Sequence, residues 1–428
     1  MSVKKDSTRS TRRTTSYAFL TLLGAGGVFS LAYAGLPVLL SVSYSDSSLA
    51  VSTPTSLVTE EVVQQPPPTV HVPTPSPLKA IYMSQCVVGT PSFRDSLVLF
   101  IEETELNAVV IDIKDFSGKI SFPTDNLILA GSVSSTCGAT DMRAFIEKLH
   151  EKDIYVIGRI TVFQDPHYTK EHPELAVQST KGGIWKDNKG LAFVDVGAKA
   201  FWDYMVELGR ISYELGFDEL NFDYVRYPSD GPMSEVLYTH SGATSKPETL
   251  EEFFKYLTDE LRPTGAVLSI DLFGMTATVE SDMNIGQVLE RALPYFDGVY
   301  PMVYPSHYPT GFRGYSNVNE HAYDIVKYAM DTAIMRALAT TTKVEALVHE
   351  RIGTSTPAVY KKAAHDKDKI KPWLQSFDYP MYYSPEMVEE QIKATEDAGL
   401  DSWLFWDAGN TYNSLRQVLL PAQASVSQ

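Results

Sequence analysis

Two cysteines, Cys86 and Cys137, are all that this chain of 428 residues contains. That scarcity excludes a disulfide-framework protein and any four-cysteine zinc site, and it leaves two arrangements open, one bridge or two free thiols. Base is scarce as well. The formal net charge is -17, and Lys4, Lys5, Arg9, Arg12 and Arg13 sit against a lone Asp6 in residues 1–16, so the remainder is more acidic than the whole. A nucleic-acid-binding face must attract phosphates, and an acidic body repels them, so no nucleic-acid partner is expected. No His-x-His or His-Glu-x-x-His pattern occurs, which weakens a metal-dependent hydrolase; no cofactor or metal is expected.

What is present is apolar enough to fold. Hydrophobic residues make up 44% of the chain, sufficient for one large core or two medium ones. Behind the basic residues 1–16, the stretch from Tyr17 to Leu40 carries no charge and is long enough to span a bilayer. The basic flank predicts that this segment, 17–40, exports the residues behind it, as a retained anchor or as a signal cleaved near Ala32, Tyr33 and Ala34; the apolar run through Leu40 favours the anchor. The expected location is the cell membrane, with the rest of the chain outside the cytoplasm. Residues 41–77 hold Pro66, Pro67, Pro68, Pro73, Pro75 and Pro77, a Pro-rich linker that reads as an extended spacer. Residues 421–428 form a short tail.

Between them, residues 78–420 alternate short β-branched or aromatic runs with amphipathic segments, the pattern of a parallel sheet covered by helices. The expected strands are Ala80–Met83, Ala108–Ile113, Ile154–Val162, Glu219–Tyr224, Ala266–Phe273, Gly298–Tyr304, Pro372–Ser376 and Ser402–Trp406. Helix-spaced apolar sets fill the gaps, such as Met142, Phe145, Ile146 and Leu149, or Leu250, Phe253, Phe254, Leu257 and Leu261. Gly216 and Gly399 stand where helices must end before the fourth and eighth strands. Eight such units predict a (β/α)8 TIM barrel. The count holds provided that Val344–Val348, inside the long 305–371 insertion, is not a strand. A doubly wound sheet is the rival, but no Gly-x-Gly-x-x-Gly follows the first strand.

Side chains alternate along a strand, so one parity enters the lumen of a barrel. In the fourth strand Leu220, Phe222 and Tyr224 share the outer parity, while Asn221 and Asp223 face the lumen. The same rule groups Asp112 with Lys114, places Arg159 in the third strand's polar set, and sets Asp271 level with Asp223 on the next strand. Polar groups therefore collect toward the C-terminal ends, where barrels of this kind carry their chemistry. Asp112 and Lys114 have a bland alternative, a structural ion pair with each other or with Arg159. Asp223 precedes Tyr224, Val225, Arg226, Tyr227 and Pro228, whose rings suit the flanks of a sugar and whose Arg226 can orient a carboxylate.

Two carboxylates on adjacent strands suit glycoside hydrolysis, one attacking the anomeric carbon or activating water, the other protonating the leaving oxygen. Asp223 is preferred as nucleophile and Asp271 as proton donor. Among the rim aromatics Tyr304, His307 and Trp406 are binding candidates, beside Asp112, Lys114, Arg159, Asn221 and Arg226; Trp403 has the wrong parity relative to Trp406. The expected partner is a carbohydrate, with a non-catalytic sugar-binding protein as the rival.

The segments VVIDIKDFSG, YVIGRITVFQDP, FDELNFDYVRYPSDG, SIDLFGM, DGVYPMVYPSHY, PWLQSFDY and GLDSWLFWDAGNTY resemble the glycosyl-hydrolase-like family DUF4015 over Leu78 to Leu420. The resemblance implies a barrel of glycosidase type, often exported or anchored, and matches Asp223 and Asp271 to that family's acidic positions.

Overall fold

The computed structural model describes residues 69–420. The expected membrane segment 17–40, most of the linker and the tail 421–428 lie outside those residues. Among the described residues no helix is long and apolar enough to cross a membrane.

Eight parallel strands close a barrel: β1 (Lys79–Met83), β2 (Ala108–Lys114), β3 (Tyr155–Thr161), β4 (Glu219–Asp223), β5 (Val267–Phe273), β6 (Gly298–Met302), β7 (Trp373–Gln375) and β8 (Trp403–Trp406). Each pairs with its neighbour in sequence, and β8 closes on β1 with Ala80 opposite Leu404. The eight strands are those that the alternating pattern predicts, each trimmed or extended at its ends by a residue or two. Val344–Val348 is not a strand; the insertion instead forms a small antiparallel sheet from Thr341–Thr342, Glu350–Ile352 and Val359–Lys361, behind the helix Ala322–Leu338.

The helices bury the faces that their periodicity marks. Met142, Phe145, Ile146 and Leu149 of the helix Met142–His150 are all buried, as are Leu250, Phe253, Phe254, Leu257 and Leu261 of Lys246–Leu261. Gly216 ends the helix Lys199–Leu215 at φ 130°, and Gly399 follows Pro385–Asp397 at φ 87°, conformations that glycine adopts without a Cβ clash. The main core lies between strands and helices, and a second cluster fills the lumen with Ala80, Tyr82, Val110, Tyr155, Ile157, Tyr300 and Trp373. Trp403 belongs to the outer core, as its parity requires.

Residues 69–77, read from sequence as the last part of the spacer, are seated on the barrel. Thr69 donates to the Glu214 carbonyl at 2.9 Å, the His71 ring stacks on Tyr213 at 3.9 Å, and the Val72 amide donates to Asp218 at 2.8 Å. Thr74 meets the Tyr155 hydroxyl at 3.0 Å, and Asn107 donates to the Pro77 carbonyl at 2.9 Å. Tyr155, Asp218 and Asn107 lie at or just before the N-terminal ends of strands, and Tyr213 and Glu214 in the last turn of the helix that leads into β4. Proline lacks the amide to join a sheet, yet a segment so restricted loses little entropy when docked, and the strap covers the floor of the lumen.

At the other end a disulfide joins Cys86, just after β1, to Cys137 in the loop after β2, with Cα atoms 4.4 Å apart. Of the two arrangements left open by the sequence, the bridge is the one found.

Candidate active site

The lumen is stacked in polar layers. At its floor the buried Glu219 accepts from Ser269 Oγ at 2.5 Å, Tyr300 at 2.7 Å and Tyr155 at 3.0 Å. Burial raises the Glu219 carboxyl above the usual range, against those hydrogen bonds and the nearby Lys371 cation. Asn221 forms the next layer, donating through Nδ2 to Ser269 at 3.0 Å and to Asp271 Oδ1 at 2.9 Å.

Above it lies the charged layer. The register sets Phe222 opposite Ile270, so Asp223, the last residue of β4, and Asp271, two residues before the end of β5, stand at the same height. Arg159 of β3 reaches into their midst: Nη1 donates to Asp112 Oδ1 at 2.6 Å, Nε to Asp223 Oδ2 at 3.0 Å, and Nη2 also to Asp223 Oδ2. The same Nε stands 4.0 Å from Asp271 Oδ2. Burial alone would strip the charge from Arg159, but Asp223, Asp112, Tyr82 and Asp271 raise its affinity for the proton well above the ordinary value. The guanidinium also lies over the Trp406 ring at 4.9 Å, and Trp406 stacks on Tyr82 at 3.9 Å. Tyr82 in turn donates to Asp112 at 2.5 Å, while burial raises the Asp112 carboxyl despite Arg159.

Asp271 is the most informative group. Its Oδ1 receives two donors, Asn221 Nδ2 at 2.9 Å and the Trp373 indole N–H at 2.8 Å. Burial, and then the neighbouring Asp223 charge, push its carboxyl well above the usual range, outweighing Arg159 and the two hydrogen bonds. Since Oδ1 already accepts twice, the proton of the neutral form belongs on Oδ2, the oxygen on the Arg159 side.

A cavity of about 350 Å³ opens on this layer. Arg159, Asp223 and Asp271 form its base; Tyr304, His307, Trp373, Phe377 and Trp406 line its wall; Tyr224 and Arg226 close the opposite side. Burial lowers the pKa of His307, favouring its neutral form. Size and lining suit a small apolar-faced ligand with a few fixed polar contacts.

Of the residues singled out from sequence, the cavity gathers Asp223, Asp271, Arg159, Arg226, Tyr304, His307 and Trp406. Asn221 and Asp112 stand behind them, one holding Asp271 and the other Arg159, and neither lines the cavity. Asp112 thus takes the bland role, in a pair with Arg159. Lys114 does not enter the lumen. A register shift between Asp112 and Lys114 breaks the alternation, and the ammonium turns outward to the Thr161 carbonyl at 2.5 Å and Asp165 at 2.8 Å, with both side chains of the ion pair fully buried.

Tyr224 departs from its expected parity too. Its φ of 51° is costly for an aromatic residue, and it turns the chain after Asp223 so that Tyr224 and Arg226 both face the cavity. Glu219 is missed by sequence reasoning, although its parity with Asn221 and Asp223 points into the lumen. Trp373 is legible as a rim aromatic, but its link to Asp271 has no signal in the sequence. Gln287 comes from a distant loop; it receives the Phe273 amide at 2.8 Å and donates to the Val225 carbonyl at 3.1 Å, bracing the ends of β5 and β4.

Fold and site together define the class: a (β/α)8 barrel of glycoside hydrolase type, with a carboxylate pair at the C-terminal end. The chain belongs to the DUF4015 family, described as "Putative glycosyl hydrolase domain", whose model matches residues 80–412. A solved structure of a hypothetical protein from Ruminiclostridium thermocellum is 33% identical over 45% of this chain and 96% of its own, with a TM-score of 0.41. The PgaB (BpsB) glycoside hydrolase domain from Bordetella bronchiseptica is 13% identical, covers 81% of this chain and 99% of its own, and superposes with a TM-score of 0.54. Alpha-L-fucosidase isoenzyme 2 from Paenibacillus thiaminolyticus stands at 10% identity, 79% and 48% coverage and a TM-score of 0.51. The last two share the fold. A comparison with curated proteins finds no match.

Proposed function

We propose that this domain is a retaining glycoside hydrolase acting outside the cytoplasm on a polysaccharide or cell-wall glycan. The observation that carries the reading is the doubly hydrogen-bonded Oδ1 of Asp271, which leaves Oδ2 to hold a proton in a site that favours the neutral acid. In the first step Asp271 Oδ2 gives that proton to the glycosidic oxygen as the bond to the anomeric carbon breaks. The Asp223 carboxylate bonds to the same carbon, forming a glycosyl ester. Water then attacks that carbon, its proton passing to the Asp271 carboxylate and the ester bond releasing Asp223. Arg159 Nε stands 3.0 Å from Asp223 Oδ2 and 4.0 Å from Asp271 Oδ2, so one guanidinium lies beside both carboxylates, a closeness compatible with the roughly 5 Å spacing of retaining enzymes.

Export is supported by the charge-free segment behind a basic flank and by the disulfide, a bond that persists in oxidising compartments. Protease treatment of intact cells, with blotting of the membrane fraction, tests that placement.

For the chemistry, Asp223→Asn and Asp271→Asn should each abolish release of reducing sugar from a glycan panel, with folding checked by circular dichroism. Full turnover by Asp223→Asn defeats the reading. Saccharide binding that survives in Asp223→Asn, with no turnover by the wild type, identifies a sugar-binding protein instead. Proton NMR of the first-formed product reports whether the anomer is retained.

A further inference from the structure

Beyond β7, residues 376–384 form a loop over the mouth of the barrel. It is pinned from several sides: Gln375 Nε2 donates to the carbonyls of Phe377 and Tyr379, each at 3.0 Å, and the Tyr383 amide donates to Asp378 at 2.9 Å. Tyr383 itself is buried, its hydroxyl donating to Asn319 at 2.8 Å and its carbonyl accepting from Ser414 at 2.6 Å. A loop tied down in this way nevertheless presents Tyr379, Met381 and Tyr382 to solvent, at 59%, 37% and 56% exposure.

Holding large apolar groups in water gains nothing for folding, and groups already held in place lose little further freedom when a ligand binds. Its position says what kind. Phe377, at the start of the loop, is part of the cavity wall and meets Tyr304 and His307 edge to face at 5.4 and 6.0 Å. Tyr379 follows Phe377 by two residues, so the exposed rings stand on the same loop that supplies this part of the cavity wall. A tyrosine offers an apolar face to sugar C–H groups and a hydroxyl to sugar oxygens.

We propose that Tyr379 and Tyr382, with Met381 between them, form a distal saccharide platform, so that the protein takes an oligomeric glycan chain running from the cavity across the β7 loop. The inference rests on the hydrolase reading for the class of ligand, and extends it to a substrate of several units.

The test uses the full-length protein and labelled cello-, xylo-, chito- and malto-oligosaccharide ladders from dimer to octamer, beside p-nitrophenyl glycosides. Wild-type kcat/KM, or affinity where turnover is absent, should climb with chain length. In the Tyr379→Ala/Tyr382→Ala variant the ratio of long to short substrate should fall at least about tenfold. Tyr379→Phe/Tyr382→Phe, which keeps the rings, should recover most of it. Turnover of aryl glycosides with no gain from length, or a length dependence untouched by the double alanine variant, overturns the platform and leaves the hydrolase standing. Failure to bind or cleave any saccharide overturns both. Self-association abolished by the alanine variant, with no change in saccharide preference, gives the patch to a second copy of the chain and likewise overturns the proposal.

Discussion

Trp373 donates its indole N–H to Asp271 Oδ1 at 2.8 Å, tying a β7 side chain to the candidate acid on β5. A donor to a carboxylate favours the charged form, so removing it raises the pKa further. Trp373→Phe should therefore move the alkaline limb of the kcat/KM profile to higher pH, while lowering kcat by about tenfold through loss of orientation. An unmoved limb would show that Asp271 is not the titrating acid.

The same carboxyl predicts a pH-dependent stability. Its pKa is raised on folding, so its contribution is fully present below the unfolded value of about 3.9 and is lost as pH rises through the folded value. Asparagine resembles the neutral acid and keeps an oxygen for Asn221 and Trp373. The Tm of Asp271→Asn relative to wild type should accordingly climb from acid to alkaline buffer. A difference that stays flat with pH contradicts the buried, protonated assignment.

Lys114 and Asp165 form a fully buried pair at 2.8 Å. Removing one partner strands the other charge, at a cost of roughly 3–5 kcal/mol. Lys114→Met should lower stability by that amount in urea unfolding, and Lys114→Met/Asp165→Leu should recover most of it. Because Lys114 points away from the cavity, kcat per folded molecule should change by less than about twofold. A selective loss of kcat in well-folded Lys114→Met would restore it to the site.

The Cys86–Cys137 bridge spans a sequence separation of 51. By loop-closure entropy it stabilises the folded state by about 4 kcal/mol. Cys86→Ser/Cys137→Ser should shift the urea midpoint downward by the equivalent amount, and alkylation with mass analysis should find no free thiol in the wild type before reduction.

How far the sequence reached depends on how regular the backbone is. The eight strands were legible because period-two alternation and β-branched runs are local properties. Asp223, Asp271, Arg159 and Trp406 came with them, since parity fixes a side chain's face once the strand is known. Parity failed at two points where the backbone leaves the ideal pleat: the register shift that swings Lys114 outward, and the positive φ that brings Tyr224 inward. Neither has a local signature, because tertiary packing imposes both. Trp373 and Gln287 illustrate a second limit. Their contacts with the strand-five end depend on relative strand height and on loop return, which a single sequence does not encode in any periodic form. The Pro-rich 69–77 segment shows a third, as composition reported its stiffness but not that it docks.

That docking has a consequence for orientation. The strap meets the barrel at the N-terminal ends of the strands, and the cavity opens at the C-terminal ends. The described chain thus enters the barrel at the pole opposite the opening. A ligand entering the mouth therefore meets no part of the strap.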